Sequence, residues 1–465
     1  MSRGWTVALA LVLLTGGLAG CIGTDETPAS QTPDAEEANE TAFVPPEPEE
    51  NLTGMLPVDH PDHQNPDAHT QGVGLSVAGH TDFSDLYGTD DQAGWTEVDI
   101  QGHLAAVASY KDDVGAALVD ISDPRNPDPL SLVPSTGVDQ DARLSEDAGI
   151  LFVSCQPSER NDAMGAAGDC TTDEPNPGSD RSDGIVAYDV SDPENPEFVD
   201  FVSGVNTHNI WTHTIDGELY VFTNGVEILR FDASAGEGEA FEQVAEVPGG
   251  HDAFVDEHPI TGEPTLYTTS GNTFAIFDVS DPEQPEVLTE KGPEITGWHE
   301  QTASSQLVDG RALLVVGGEV FADPAGTMDG SDPPMITVLN VTDPTEPEVL
   351  SQWTLPVEDL PGWTNYRWSP HNIDVTPHGQ VAIAWNHAGI WVFDVSTQER
   401  QEDPVTLGFY QPHEQPVTQV PTFKATGDPS IPRVWGGMFD HHGYLVTADM
   451  YTGFYVLEPR WGLYG

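Results

Sequence analysis

Positive charge is what this chain has least of. Only 14 Lys and Arg, of which Lys111, Lys291 and Lys424 are the lysines, face 78 Asp and Glu, for a formal charge of −64. That balance excludes nucleic acid as a partner, because a duplex with one phosphate charge every ~1.7 Å calls for a basic surface. Cysteine is scarce too: Cys21, Cys155 and Cys170 are the three. Two cysteines beyond the N-terminal region make a poor metal site. After the N-terminus no apolar run approaches the ~18 residues of a spanning helix, so the remainder is expected to lie outside the membrane. There is no Gly-x-Ser-x-Gly elbow, no Walker or Rossmann glycine pattern and no EF-hand loop, and His299 opens His-Glu-Gln-Thr-Ala rather than a His-Glu-x-x-His helix.

The acidity runs through every segment and is not gathered in a tail, the pattern of an extreme halophile's protein. At 0.01 M salt the Debye length is ~30 Å and the carboxylates repel one another across the whole fold; at 1 M it is ~3 Å and they do not. A requirement for molar salt is therefore expected. Intrinsic disorder is not, since 37% of the residues are hydrophobic and 11 Trp, 11 Tyr and 17 Phe can fill a core.

Residues 1–21 read as a lipoprotein-type signal peptide. Arg3 gives a short basic region, Trp5 to Leu14 an apolar stretch, and Leu18-Ala19-Gly20-Cys21 the small residues before a cysteine. The tetrad resembles the lipobox of prokaryotic lipoproteins, which implies lipidation of Cys21 and anchoring at the outer face of the cell membrane. Residues 22–71, rich in Thr, Pro, Glu and Asp, are too polar to fold and are expected to form a disordered linker. Asn39 and Asn51 in that linker, and Asn340 at a strand end, fit the glycosylation acceptor pattern. In an oxidising exterior, Cys155 and Cys170 are expected to pair around the loop between them, with free thiols as the alternative.

Residues 72–465 repeat themselves at a period of roughly 45 to 60 residues. Ala116 to Pro129, Gly184 to Glu197, Phe274 to Glu286 and Ile336 to Glu348 each hold a short apolar run, then Asp or Asn, then Ser/Thr-Asp-Pro-x-x-Pro. Degenerate copies at Gly225 to Asp232, Gly389 to Asp394 and Gly453 to Glu458 bring the number to seven. The runs are strands, being too short for helices and rich in Val, Ile, Phe and Tyr. The Asp-Pro segments are turns, in which an Asp side chain can cap and proline excludes helix. Another strand pair around a Gly turn precedes most copies, as in Ile210 to Ile215 and Glu218 to Thr223. Four short strands per repeat predict an all-β, seven-bladed β-propeller of four-stranded antiparallel blades. The last copy is one strand short, so the N-terminal strand Val73 to Gly79 is expected to complete the last blade.

The LVDISDP, VAYDVSDP and AIFDVSDP segments resemble the LVIVD repeat of bacterial and archaeal cell-surface proteins, and the histidine-bearing strands described next are similar to those of the choice-of-anchor B group. The resemblance spans about residues 72 to 465. It implies a surface-displayed propeller and no uniform activity. Copies three, six and seven depart from it by lacking the Ser-Asp-Pro turn.

Four successive repeats begin their innermost strand with a histidine and an amide or acid: His208-Asn209, His251-Asp252, His299-Glu300 and His371-Asn372; the equivalent place in the second repeat is Gln140-Asp141. In a propeller these positions ring one mouth of the axial channel. Neighbouring side chains on a strand point to opposite faces, so one member of each pair is expected to face the axis. Three readings stand. Each histidine can hydrogen-bond a neighbouring blade and set the spacing; His208, His251, His299 and His371 can hold Zn²⁺ or Cu²⁺, which needs imidazoles within about 4 Å of one another; or the mouth can take a ligand, with Trp298 and Trp368 as stacking candidates. Trp211, Trp363, Trp385 and Trp435 are expected in inter-blade packing, and His441-His442-Gly443 in a turn. The expected function is a monomeric, extracellular binding or scaffold module with an unidentified protein or small-molecule ligand. The alternative is a metal-dependent oxidoreductase or hydrolase, with Glu300 or Asp252 moving the proton.

Overall fold

In the four repeats with an Asp-Pro turn, the residue that closes the central strand folds its side chain back onto that turn. Asp120 Oδ1 accepts from Ser122 N at 2.7 Å, Asp189 from Ser191, Asp278 from Ser280, and Asn340 from Thr342 at 3.1 Å. The structure is a computed structural model that describes residues 71–87, 94–110, 114–134, 141–155, 184–205, 207–224, 227–270, 273–293, 299–319, 335–355, 369–386, 388–412 and 433–463. The leader, the linker up to residue 70, the lipidation site Cys21, the mouth candidates Gln140, Trp298 and Trp368, and Trp363 lie outside these residues, as does Cys170, while Gln71 opens the first strand. Cys155 is disulfide-bonded.

The strands form seven antiparallel sheets. The first strand of each is Trp95–Gln101, Ala142–Leu144, Ile210–Ile215, Asp252–Glu257, His299–Val308, Ile373–Val375 and Val434–Phe439 in turn. Each of these packs against the next, and Val434–Phe439 packs against Trp95–Gln101, so the ring is closed. The protein is a seven-bladed β-propeller. Among the described residues helix is confined to Ser84–Tyr87 and Gln398–Glu402, and no helix is long and apolar enough to cross a membrane.

Closure is more elaborate than one added strand. Leu75–Thr81 pairs with Gly453–Pro459 and completes the seventh blade. Gln71–Val73, just before it, pairs instead with Val405–Gln411 and gives the sixth blade a fifth strand. The expected single strand from Val73 to Gly79 is thus two strands hinged at Gly74. That residue has φ +72°, and its carbonyl accepts from Arg460 N at 2.8 Å. An alternating apolar pattern cannot show such a break, because both halves are extended and only the positive φ separates them.

Apolar residues cluster between blades rather than in one centre. Leu118 and Ala106 of the first blade meet Leu144, Leu151 and Val186 of the second; Val98 and Val107 of the first meet Val446, Phe454 and Val456 of the seventh. The turns fasten these layers. Ser131 Oγ in the outer strand of the first blade donates to Pro193 O in the turn of the second, and Thr289 Oγ1 of the fourth donates to Pro344 O of the fifth. In the sixth blade, which lacks the Ser-Asp-Pro turn, helix Gln398–Glu402 takes that place, and Gln401 O accepts from Ser351 Oγ. His441-His442-Gly443 is a turn, with Gly443 at φ +88°.

Candidate functional site: the axial mouth

The histidine positions lie at the edge of the regular strands. His208 and Asn209 precede Ile210–Ile215, His251 precedes Asp252–Glu257, and His371 and Asn372 precede Ile373–Val375. The strict alternation expected of a strand does not hold there. His251 Nδ1 lies 3.0 Å from Asp252 Oδ1, and His371 Nδ1 lies 3.0 Å from Asn372 Oδ1, so both members of a pair turn to one place. His299 and Glu300 open the fifth inner strand, His299–Val308, and their side chains are outside the described set.

Three of the histidines gather round one carboxylate. The His208 and His251 rings have centroids 4.6 Å apart. Burial by itself would raise Asp252, yet its hydrogen bond and charge interaction with His251, together with the nearby His208 and His371, hold its carboxyl below the usual range. His371 stacks on Trp435 with centroids 4.7 Å apart, and its Nδ1 lies 3.4 Å from Glu97 Oε1. Among the described residues no three His, Cys, Asp or Glu side chains are grouped so as to hold a metal ion.

Cross-blade bonds come from the residue after the histidine position. Asp141 Oδ2 accepts from Ile210 N at 2.9 Å, and Asn209 Oδ1 from Ala253 N at 3.4 Å. Two residues further in, the relation repeats at a second level: Asp99 Oδ2 accepts from Leu144 N at 2.7 Å and Asp374 Oδ2 from Phe439 N at 2.8 Å. Polar side chains therefore tie the first blade to the second, the second to the third, the third to the fourth and the sixth to the seventh at the depth of the axis.

Arg143 stands in the middle of these carboxylates. Its Nε lies 3.2 Å from Asp141 Oδ1, its Nη1 lies 3.6 Å from Asp99 Oδ1, and its guanidinium covers the Trp211 ring at 4.3 Å. Burial opposes its charge, but Asp141, Asp99, Glu97 and Asp252 overcome that and hold Arg143 above its ordinary value. One cation does not satisfy this many acids. Burial pushes Glu97 up to about 8 against the pull of Arg143, and Asp252 and Asp99 push the same way. Burial likewise lifts Asp141 to about 7 and Asp374 to about 6.

Below the mouth lies an axial cavity of about 160 Å³ to which all seven inner strands contribute. Glu97, Arg143, Trp211, Phe254, Gln306 and Asp374 line it, with Met438 from the seventh blade. Glu97 is 4% exposed, and its Oε2 accepts from Asn372 Nδ2 while its Oε1 has no hydrogen-bond partner.

Of the sequence candidates, then, His208, His251, His371, Asp252 and Asn372 meet at the mouth, and Asp141 and Asn209 tie blades together. Trp385 is 1% exposed and packs between the fifth and sixth blades. Glu97, Asp99, Arg143 and Asp374 carry no histidine before them and were not singled out from the sequence. The available signal was Arg143, one of only 14 basic residues, placed inside an inner strand two positions after Asp141.

No family model matches the chain, and no curated protein is significantly similar to it. Among solved structures, the β-propeller domain of Myceliophteria thermophila Cps50 (Swd1) is 11% identical with a TM-score of 0.46, covering 79% of this chain and 96% of that one. Saccharomyces cerevisiae Sqt1 is 12% identical with a TM-score of 0.42, covering 79% and 84%. The fold rests on the sheet topology of this chain itself.

Proposed function

We propose that the protein is a binding or scaffold module, held outside the cell by a lipid on Cys21, and that its ligand enters at the histidine-bearing mouth of the propeller. One observation carries the ligand site. The cavity is lined from every blade, and a carboxylate oxygen of Glu97, 4% exposed, lacks a hydrogen bond there. Buried polar atoms are nearly always paired, so an unbonded one at the wall of a cavity supports a missing partner. The other polar side chains at this depth have structural work. Asp99, Asp141, Asn209 and Asp374 bind neighbouring blades, whereas Glu97 Oε1 makes no hydrogen bond and has His371 Nδ1 3.4 Å away.

The surface location is supported by the Leu18-Ala19-Gly20-Cys21 tetrad and the Pro- and acid-rich linker after it. Cys21→Ser is expected to move the protein from the membrane fraction to the medium; retention in the membrane fraction would refute the anchor. For the binding role, the full chain is incubated in about 2 M KCl with a small-molecule extract of cell envelopes, ultrafiltered, and the retained species identified by mass spectrometry. A species held by the native protein and lost on Asp252→Asn is the expected result. Retention no greater than by heat-unfolded protein would overturn the reading.

A further inference from the structure

We infer that the axial cavity takes a small organic ammonium ion, an inference that rests on reading the mouth as a ligand site. Charge selects the sign. Glu97, Asp256 and Asp374 line the cavity, and Arg143 is the one basic side chain among the lining residues. Arg143 is already engaged by Asp99 and Asp141, so the wall has acceptors in excess and no cation to spare. All three lining acids are displaced upward, each with burial as the leading cause, and a cation entering the cavity would favour their charged forms. An anion would meet these groups unfavourably. A neutral molecule would add no charge-assisted donor to Glu97 Oε1, which has His371 Nδ1 3.4 Å away and no hydrogen bond.

The remaining wall selects an organic cation over a bare ion. Phe254 lines the cavity in edge contact with Trp211, ring centroids 4.8 Å apart, and one face of Trp211 already lies under the Arg143 guanidinium. Aromatic surface is worth nothing to a hydrated metal ion, but it receives the alkyl part and the diffuse charge of an ammonium group. Among the described residues no three ligating side chains are grouped for a metal. Size sets the class: about 160 Å³ is close to the cavity that holds one benzene-sized molecule, roughly six to ten non-hydrogen atoms at most.

The test titrates the full chain with propylammonium, and separately with 1-propanol and propionate, in about 2 M KCl by calorimetry and saturation-transfer NMR. Propylammonium is expected to bind with one-to-one stoichiometry and at least about tenfold more tightly than propanol. Glu97→Gln is expected to weaken it by about tenfold, and Asp374→Asn, whose amide oxygen can keep the bond from Phe439 N, to weaken it as well. The pair guards against one variant failing to fold, which circular dichroism would report. Binding of propanol or propionate as tight as that of propylammonium keeps the ligand site and refutes the ammonium class. The class also falls if none of the three binds while the envelope extract still yields a ligand; if the extract yields none either, both readings fall.

Discussion

Arg143, inside the second inner strand, and Asp141, just before it, form an ion pair of 3.2 Å with side chains only 4% and 1% exposed. Together with Asp99 they make a charged knot on the axis of the propeller. Removing one partner of a buried ion pair leaves the other charges uncompensated, which typically costs ~3–5 kcal/mol. Arg143→Met should therefore destabilise the fold by about that much in chemical denaturation. The loss should shrink at acid pH, where Asp141 and Asp99 can take up protons. A change below about 0.5 kcal/mol would mean that the knot contributes nothing net.

Glu97 makes the stability depend on pH in a defined direction. Its carboxyl moves from an ordinary value of 4.5 to about 8 on folding, so between those values the unfolded chain has released a proton that the folded chain keeps. Raising the pH through that window favours unfolding, and the stability present at pH 4.5 is lost by the time the pH passes 8. Asp141 and Asp374 act the same way up to about 7 and 6. Asp252, held low by its histidines, acts oppositely and at lower pH. Glu97→Gln removes one titration, so the stability gap between variant and native protein should change by up to about 1.4 kcal/mol per pH unit across that window. Parallel pH profiles for the two proteins would refute the assignment.

Ring closure depends on a glycine facing a glycine. A Cβ on Gly408 would run into Val73 O and Gly74 Cα, and one on Gly74 would overlap Leu407 O. Gly408→Ala should prise the N-terminal strands from the sixth blade and expose Leu75, now 1% exposed. A loss of about 1–3 kcal/mol and faster amide exchange over residues 71–81 are expected. Unchanged exchange there would show that the two-strand clasp does not depend on this contact.

The overall charge predicts the salt response. With a formal charge of −64, self-repulsion extends over ~30 Å in 0.01 M salt and over ~3 Å at 1 M. The melting temperature should rise steadily from dilute buffer to about 2 M KCl. Melts that superimpose across that range would refute salt adaptation.

A mutation at the rim of the ring separates fastening from packing. Thr289→Val keeps the shape and removes the hydroxyl that donates to Pro344 O at 2.7 Å. It should cost about 1 kcal/mol and leave the other blade junctions as protected against amide exchange as before. No measurable cost would make the turn contact incidental.

Local rules made the repeats legible. The Asp that terminates a strand and caps its own turn acts over two residues, so Asp120, Asp189 and Asp278 could be read from spacing alone, and seven such units leave a sheet ring as the only economical packing. The strand pair Ile210–Ile215 and Glu218–Thr223 was readable to the residue for the same reason. The histidines at the head of four of the inner strands were equally visible.

What those histidines meet was decided in three dimensions. Asp252 lies among His208, His251 and His371, and Glu97 bonds Asn372 from 275 positions away in the chain. No periodicity encodes such a contact, since it depends on which blades face one another across the axis. The same holds for Gly74, where one positive φ sends the N-terminal strands into two different blades. Short-range stereochemistry and hydrophobic alternation thus determined the blades, while electrostatics at the hub waited on ring closure, because charges become neighbours there only after every sheet has packed.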